Sequence, residues 1–222
     1  MNQQTWTAVD DFVSSTMIGP DPVQAETLRK NAAEGLPAID VAPNQGKLLY
    51  LLAKIRGAKR ILEIGTLGGY STIWLARALP AEGRLVTLEF EEKHAAIAAE
   101  NIARAGFADR VEIRVGPALE SLMELAGEGE EAFDLIFLDA DKPNNPSYFE
   151  WAMRFSRPGT VIIGDNVVRD GEVANLATTD ERAIGSRRLL ELMGSDDRIE
   201  STAIQTVGLK GYDGFAMGVV KS

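Results

Sequence analysis

The 222-residue sequence predicts an α/β fold, with one domain built on a doubly wound, mostly parallel sheet. Short β-rich apolar runs alternate with amphipathic segments along most of the chain, which is the pattern of strand–helix–strand units. Three helical segments precede the first of these runs. Two β-rich runs separated by glycines close the chain, which predicts an antiparallel edge.

The central part of the chain supplies the predicted parallel strands and their crossover helices. The strands are Arg60–Ile64, Arg84–Glu89, Val111–Val115, 133–138 and 160–163. They are mostly apolar at consecutive positions, as expected for strands buried on both faces of a parallel sheet. The intervening helices are predicted at 71–79, 93–105, 118–126 and 148–155. Because crossovers between parallel strands are right-handed, this alternation gives a doubly wound sheet.

The two ends of the chain depart from the alternation. Helices are predicted at 6–17, 22–33 and 46–55, ahead of the first strand. Trp6, Phe12 and Met17 are expected to pack among these helices, the alternative being that they line an acceptor pocket. At the other end, a helix at 186–193 is followed by strands at 199–206 and 215–220, with three glycines between the strands.

The composition excludes several classes of protein. Without cysteine there is no disulfide framework, no thiolate nucleophile and no zinc site with Cys ligands. The single histidine, His94, is predicted to lie on the surface. The net charge of −10 gives no sequence-wide electrostatic reason to bind nucleic acid. No apolar run approaches a membrane span, and the N-terminal sequence lacks the pattern of a secretory signal, so a cytoplasmic protein is expected.

A glycine-rich turn follows the first predicted strand. Gly65, Gly68 and Gly69 allow close approach of a ligand, but their spacing is not the Gly-x-Gly-x-x-Gly fingerprint that seats a pyrophosphate. Glu63, just before the turn, would oppose a phosphate and favour a cationic ligand. Glu89, at the end of the second strand, can accept both hydroxyls of a ribose. A ribose with a positive charge indicates S-adenosylmethionine (SAM), whereas the alternative is that these residues only turn and cap the chain.

Oxygen-bearing side chains follow the fourth and fifth predicted strands. Neighbouring strands lie ~4.8 Å apart, so Asp139 can approach Asp165 and Asn166. Carboxylate and amide oxygens suit a hard divalent cation such as Mg²⁺, Ca²⁺ or Mn²⁺. The alternative is that each side chain caps a local turn. Lys142 is a candidate general base, because a nearby cation and burial both disfavour its ammonium form; otherwise it is a surface lysine.

Several motifs, in this order, resemble those of the cation-dependent class I SAM O-methyltransferases. This family contains the catechol and caffeoyl-CoA O-methyltransferases, and the chain is most similar to its short bacterial members. The motifs cover nearly the whole chain: Val41-Ala42-Pro43-Asn44-Gln45-Gly46-Lys47, Leu62-Glu63-Ile64-Gly65, Gly68-Gly69-Tyr70-Ser71, Gly116-Pro117-Ala118-Leu119, Leu138-Asp139-Ala140-Asp141-Lys142, Gly164-Asp165-Asn166-Val167 and Gly211-Tyr212-Asp213-Gly214. The resemblance implies a Rossmann-like, seven-stranded sheet with a reversed last strand.

The resemblance also implies roles for individual residues. Those that match SAM contacts are Val41, Glu63, Gly65, Thr66, Ser71, Glu89 at the ribose, Ala118 near the adenine, and Asp139 near the methionine end. Asp139, Asp165 and Asn166 match the metal ligands, and Lys142 matches the catalytic base. Bacterial members of this kind are commonly homodimers whose N-terminal helices shape the acceptor site. Residues 1–56 are therefore expected to form that part of a single domain, and residues 57–222 the SAM-binding core.

The sequence thus predicts divalent-cation-dependent methyl transfer from SAM to one hydroxyl of a small aromatic vicinal diol such as a catechol. Mg²⁺ is the expected metal, and Lys142 the general base. Two alternatives stay open: a metal-independent SAM methyltransferase acting on another small nucleophile, and a non-catalytic SAM-binding module. A dehydrogenase is disfavoured by the absent phosphate fingerprint, and an RNA methyltransferase by the acidic balance. The segment 169–185 is expected to border the acceptor pocket and does not identify the acceptor.

Overall fold

A computed structural model describes residues 2–222 and contains one seven-stranded sheet of order β3-β2-β1-β4-β5-β7-β6. The strands are β1 (Arg60–Ile64), β2 (Arg84–Glu89), β3 (Val111–Val115), β4 (Leu135–Leu138), β5 (Val161–Asp165), β6 (Ile199–Gly208) and β7 (Gly211–Val220). The first five are parallel, and β7 runs antiparallel between β5 and β6. The predicted doubly wound sheet with a reversed last strand is confirmed.

Eight α-helices in the described part surround the sheet. They are α1 (Gln3–Val13), α2 (Pro22–Ala33), α3 (Pro43–Arg56), α4 (Tyr70–Ala76), α5 (Glu92–Arg104), α6 (Ala118–Gly127), α7 (Asn145–Arg154) and α8 (Glu181–Ser195). A π-helical turn, Ser14–Ile18, extends α1, and 3₁₀ turns cover Lys142–Asn144 and Arg169–Ala174. Local chemistry fixes several ends: the Asp21 side chain caps α2, and Gly57 adopts the left-handed conformation after α3. No helix among residues 2–222 is long and apolar enough to cross a membrane.

Both faces of the central strands β1, β4 and β5 are buried, which explains their continuous apolar runs, whereas β3 and β6 are largely exposed or half-buried. Within β1, Ile61 faces the core layer formed with Leu49 and Trp74, whereas Leu62 and Ile64 face the layer that α6, α7 and α8 cover. Consecutive residues of a strand point to opposite faces, so a strand covered on both sides needs apolar residues at each position. Glu63 breaks this rule: it is fully buried among the apolar residues of the first layer.

Many boundaries match the sequence predictions within two residues, whereas α1, α3, α7, α8 and β7 begin three to five residues earlier than predicted. The strand β4 begins at Leu135 instead of residue 133, because the buried Asp134 accepts the backbone N–H groups of Lys59 and Arg60 at 2.8 and 3.1 Å. Gly214, predicted as part of the spacer between the last two strands, lies inside β7. A side chain at Gly214 would collide with the Ile204 carbonyl, so this glycine allows close packing and not a turn.

The N-terminal helices pack differently from the prediction. Phe12 and Met17 are 68% and 76% exposed, so the expectation that they pack among these helices is wrong. Polar contacts attach α1 to the β6–β7 hairpin instead. Gln3 Nε2 donates to the Gly208 carbonyl at 2.9 Å, and Asp10 Oδ2 accepts the Leu209 N–H at 2.7 Å. The apolar side of α1 is thereby left facing outwards.

Candidate functional site

A cavity of about 800 Å³ opens at the carboxyl ends of β1, β2 and β4. The connections from the neighbouring strands β1 and β4 lead in opposite directions, to β2 and to β5, and such a position is the usual ligand-binding site of a doubly wound sheet. Seven of the eight residues predicted to contact the cofactor line the cavity: Val41, Gly65, Thr66, Ser71, Glu89, Ala118 and Asp139. Lys142 and Asn166 line it as well. The two remaining predicted site residues, Glu63 and Asp165, are buried beside it.

The glycine turn after β1 forms one wall of this cavity. Gly65 has a φ of +106°, and a side chain there would collide with the Asp139 carbonyl, so the turn packs directly against the end of β4. Gly69 has a φ of +84° and precedes the first residue of α4. The turn therefore presents its backbone to the cavity, as the sequence predicted for a loop approached closely by a ligand.

The Glu89 carboxylate organises the turn from the neighbouring strand. Its Oε2 accepts the N–H groups of Thr66 and Leu67 at 3.2 and 2.7 Å, and its Oε1 accepts that of Glu91 at 3.1 Å. His94, predicted to lie on the surface, is partly buried, and its Nδ1 lies 3.2 Å from Glu89 Oε1. Glu89 thus caps the following segment, as the alternative interpretation expected, and also fixes the glycine turn at the cavity.

Glu63 lies beneath the turn with only hydroxyl partners among the described residues. Ser71, Thr72 and Thr87 donate to its carboxylate at 2.6, 2.5 and 2.7 Å. Burial raises its pKa from an ordinary 4.5 to about 7, although the three hydroxyls oppose that shift. A buried carboxylate with no cation of its own would be stabilised by a positively charged ligand above it.

An amide network supports the same turn from the helices, and the sequence analysis missed it. Asn101 Nδ2, on α5, donates to the Gly68 carbonyl at 2.8 Å and to Asn31 Oδ1, on α2, at 3.0 Å. Asn31 Nδ2 in turn donates to Asp40 Oδ1 at 3.0 Å, and burial raises the pKa of Asp40, which lines the cavity. No local pattern indicated this network, because the buried residues of α2 are themselves polar and the contact depends on the packing of α2 against α5.

The carboxyl end of β4 carries the charged pair predicted there. Lys142 is 6% exposed, and its Nζ donates to Asp139 Oδ1 at 2.9 Å. Asp141 does not share this lysine: Tyr148 and Asn144 donate to its two oxygens at 2.5 and 2.6 Å. Burial and the Asp141 charge raise the pKa of the Tyr148 phenol, so Tyr148 stays protonated. Lys142 is therefore buried beside one carboxylate, inside the cavity.

Asp165 ends β5 immediately beside Asp139, because Leu138 and Gly164 are register partners of the parallel pair. It borders a second cavity of about 240 Å³, and Asn166 lines both cavities. Asp165 Oδ2 accepts Gln45 Nε2 at 2.7 Å, and its Oδ1 accepts the Asn166 N–H at 2.8 Å. Burial, with the Asp139 charge as the next cause, raises the pKa of Asp165 to about 7.

These side chains fit a divalent metal in their donor chemistry. Asp139 and Asp165 supply carboxylate oxygens, and Asn166 supplies an amide oxygen from a residue with a φ of +53°. A cation between the two carboxylates would offset the mutual repulsion that raises the pKa of Asp165. Within residues 2–222, no group of three or more His, Cys, Asp or Glu could hold a metal. A metal here would therefore need the Asn166 amide together with water or substrate oxygens.

Comparison with known proteins gives a consistent result. The O-methyltransferase family profile matches residues 15–215. A catechol O-methyltransferase of Niastella koreensis is 49% identical over 221 residues, covering all of both chains. A catechol O-methyltransferase of Mycobacterium tuberculosis is 53% identical over 214 residues, or 96% of this chain and 95% of its own.

Solved structures resemble the whole chain equally well. The O-methyltransferase of Bacillus cereus in complex with SAH, the demethylated form of SAM, is 60% identical and superposes with a TM-score of 0.98. That match covers 99% of this chain and 100% of the other. The SAM complex of TomG, an O-methyltransferase of Streptomyces achromogenes involved in tomaymycin synthesis, is 47% identical over the full length of both chains, with a TM-score of 0.96.

Proposed function

Because the chain belongs to the O-methyltransferase family, we propose that it transfers the SAM methyl group to one hydroxyl of a small aromatic vicinal diol, with the help of a divalent cation. SAM-dependent O-methyl transfer follows from the family itself and from relatives solved with SAM or SAH. The diol acceptor, the cation and the individual residue roles are the proposal. Two relatives about 50% identical to this chain are named catechol O-methyltransferases, which supports the diol.

One observation carries this proposal. The buried amine of Lys142 lies 2.9 Å from Asp139 Oδ1, in the same cavity as the glycine turn and Asn166. A potential proton acceptor, oxygen ligands and a cofactor loop thus meet in one enclosure. Methyl transfer to a hydroxyl needs these three functions together: one group takes the proton, one positions the acceptor oxygen, and one holds the methyl donor.

In the proposed reaction, the neutral amine of Lys142 accepts the proton of the reacting hydroxyl at Nζ. The acceptor oxygen then forms a bond to the methyl carbon as the bond from that carbon to sulfur breaks, and SAH leaves. The negative charge of the deprotonated oxygen and the positive charge of the sulfonium both disappear in this step. The site therefore lowers the barrier chiefly by positioning the reactants, an effect that can supply ~7–11 kcal/mol.

The residues of the glycine turn hold the methyl donor in this scheme. The Glu89 carboxylate is placed to accept the ribose hydroxyls, and the buried Glu63 attracts the α-ammonium group from beneath the turn. Gly65, Thr66 and Ser71 match further SAM contacts, and Asp139 matches the position near the methionine end. Val41 flanks the same cavity, and Ala118 bounds it near the adenine. These assignments follow from the resemblance, and all of these residues except the buried Glu63 line the cavity.

Asp139, Asp165 and Asn166 are the proposed metal ligands, with Mg²⁺ as the expected ion. When bound, a divalent cation supplies Lewis acidity that lowers the pKa of a coordinated hydroxyl. Gln45 orients the Asp165 carboxylate through its 2.7 Å hydrogen bond. Such second-layer hydrogen bonds fix the direction from which a carboxylate can bind a metal.

One observation favours the metal-independent alternative. The Lys142 ammonium already neutralises Asp139 through their direct contact, so the cavity does not need a metal to balance that carboxylate. In such an enzyme Lys142 would remain charged, and the acceptor would have to be a nucleophile that is reactive without deprotonation. Retention of activity in a chelator separates the two schemes.

The same proposal extends to assembly and location. Residues 1–56 would shape the acceptor site, and residues 57–222 would form the SAM-binding core. The exposed apolar side chains of Phe12 and Met17 support a homodimer in which the partner covers them, since apolar patches on a surface often mark an interface. A cytoplasmic location, favoured by the cysteine-free composition, belongs to the same proposal.

An assay of catechol methylation with SAM, with Mg²⁺ or with EDTA, tests the proposed function. The expected result is methylation in Mg²⁺ that falls to background in EDTA and in Asp139→Ala, while Asp139→Ala retains most of its affinity for SAH. Asp197→Ala removes an exposed carboxylate and serves as the matched control. Full activity in EDTA would establish the metal-independent alternative. Binding of SAM without turnover of any vicinal diol would leave a SAM-binding module.

A further inference from the structure

In the proposed function the acceptor binds beside Lys142, Asp139 and Asn166, and we call this part of the cavity the acceptor end; the part around the glycine turn and Glu89 is the cofactor end. Arg169 lines the cavity near Asn166, and its guanidinium lacks a hydrogen-bonded partner. It follows β5 by four residues and lines the same cavity as Lys142 and Asn166. Its side chain is 23% exposed, and its Nε is fully buried without a hydrogen-bond partner in the described structure. A guanidinium carries five N–H donors. The buried Nε is out of reach of a ligand in the cavity, but the N–H groups of the two Nη atoms also have no hydrogen-bond acceptor among the described residues, and leaving such donors unpaired is costly.

The neighbouring acidic group satisfies only the backbone around Arg169. Asp213 Oδ1 accepts the N–H groups of Val168 and Arg169, each at 2.9 Å. The distance from Asp213 Oδ2 to the nearest guanidinium nitrogen is 3.6 Å, which is too long for a hydrogen bond. Asp213 therefore holds the loop in place and provides nearby charge, but it does not saturate the guanidinium.

The backbone at this point is also constrained. Arg169 and Asp170 have φ values of +55° and +54°, a region that side-chain-bearing residues seldom adopt. Strained residues of this kind persist where the surrounding structure fixes them, and they are common at ligand sites. The two hydrogen bonds to Asp213 are what fix Arg169, so its direction is set by the fold.

A second arginine on the cavity provides the contrast. Arg182 also lines the cavity, but its side chain is 63% exposed and its Nε donates to Asp180 Oδ1 at 3.2 Å. Arg182 is therefore already paired and solvated. Of these two arginines, only Arg169 combines burial with unused donors.

We propose that Arg169 determines acceptor specificity by binding a carboxylate on the aromatic vicinal diol. This inference rests on the proposed function, because it assigns a substrate class to the same site. A planar carboxylate matches the two parallel N–H groups of a guanidinium, and such a pair is stronger than a hydrogen bond between neutral groups. The preferred acceptors are thus diol-bearing aromatic acids rather than the corresponding amides, amines or unsubstituted catechol.

Matched acid and amide acceptors test the inference. We would measure kcat/KM for 3,4-dihydroxybenzoate, 3,4-dihydroxyphenylacetate and 3,4-dihydroxycinnamate, each beside its primary amide, with SAM and Mg²⁺. The expected result is a preference for the acid of at least about tenfold for one or more side-chain lengths. Arg169→Met should abolish this preference, Arg169→Lys should retain part of it, and Arg182→Met should retain most of it.

Several outcomes would overturn the inference. These are equal kcat/KM for every acid and amide in the wild-type enzyme, an acid preference that survives in Arg169→Met, or a preference lost equally in Arg169→Met and Arg182→Met. Dissociation constants for the same pairs, measured on the SAH-saturated protein with Mg²⁺, give a readout without turnover. Turnover across the whole panel separates the two levels: no methylation of any acid, amide or unsubstituted catechol contradicts the proposed function, whereas turnover of these diols without acid preference contradicts only the role of Arg169.

Discussion

The cofactor end and the acceptor end of the cavity differ in how far the chain satisfies its own polar groups. At the cofactor end, Glu89 accepts three backbone N–H groups and contacts His94, and Asn101 ties the glycine turn to two helices. At the acceptor end, Arg169 has unpaired donors, and Asp139 and Asp165 repel each other. Non-glycine residues with positive φ occur at both ends, at Leu67 in the glycine turn and at Asn166, Arg169 and Asp170, so the difference lies in the polar groups and not in backbone strain.

This contrast separates a preformed site from one that depends on its ligands. Satisfied hydrogen bonds hold the glycine turn in place before any ligand arrives, which lowers the entropy lost on binding. Unpaired charge at the acceptor end is offset only when a cation or an anionic acceptor is present. Substitutions at the cofactor end should therefore alter SAM affinity, whereas substitutions at the acceptor end should alter turnover and acceptor choice.

The largest effect is expected from Lys142→Met at the acceptor end. Loss of the proposed base should lower kcat by ~10²–10⁴-fold and leave the SAH dissociation constant nearly unchanged. Steady-state kinetics with catechol and calorimetric titration with SAH measure the two quantities. Lys54→Met, at an exposed position of α3, is the control. A kcat close to that of the wild type would remove Lys142 from the chemistry.

The next effect concerns the buried Glu63. It is an exception at the cofactor end, because its carboxylate has hydroxyl partners but no cation among the described residues. Its pKa is raised in the folded state, so the folded protein holds this proton to higher pH than the unfolded chain does. The free energy of unfolding should therefore fall between pH 4.5 and about 7, by about 3 kcal/mol from this group. Glu63→Gln should lack that part of the pH dependence.

Urea unfolding of the wild type and Glu63→Gln at several values from pH 5 to 8 measures this difference. Saturating SAH should reduce it, because the ligand brings an α-ammonium group to the buried carboxylate. Parallel pH profiles for the two proteins would show that Glu63 does not titrate in this range.

Glu89→Ala should act on the cofactor end alone. The substitution removes the proposed ribose acceptor and frees the N–H groups of Thr66 and Leu67. We expect the SAH dissociation constant to rise about ten- to a hundredfold, while kcat at saturating SAM falls much less. Glu92→Ala, an exposed carboxylate nearby in α5, should leave the dissociation constant unchanged. A large fall in kcat with normal SAH binding would break the division between the two ends.

The smallest effect should come from Asn101→Ala, which removes the tie between α5 and the glycine turn. The KM for SAM should rise about tenfold or less with little change in kcat, because one hydrogen bond to the turn is lost without any contact to the reacting atoms. Glu100→Gln, on the exposed side of the same helix, tests whether a general weakening of α5 gives the same result. Equal KM values for Asn101→Ala and the wild type would show that the turn holds its shape without this amide.

Sequence reasoning succeeded where a pattern has one structural solution. The strands β1, β2 and β3 have the predicted bounds: β1 and β2 are mostly apolar, buried runs, and the edge strand β3 alternates apolar with charged residues. The approach of Asp139 to Asp165 was also predictable, since parallel strands end at the same edge of the sheet. The glycine turn lines the cavity for the same reason, because it follows the carboxyl end of β1 at that edge.

Other features depend on contacts between distant segments and had no local signal. Asn31 and Asn101 are 70 residues apart, and their contact follows only from the packing of α2 against α5. The exposure of Phe12 could not be deduced from its residue type, because α1 is held by polar contacts from its other side. The Arg169 guanidinium is unpaired because the nearest oxygen of Asp213, on β7, lies 3.6 Å from it, and no spacing in the sequence reveals that distance.

The position of β7 between β5 and β6 also sets an order of assembly. The strand β6 is made before β7 but lies outside it, so β6 cannot join the sheet until β7 has paired with β5. The Asp213 carboxylate, which fixes the backbone at Val168 and Arg169, belongs to that late strand. During synthesis, the cofactor end can therefore form on a growing chain, while the acceptor loop takes its final shape only at the last step.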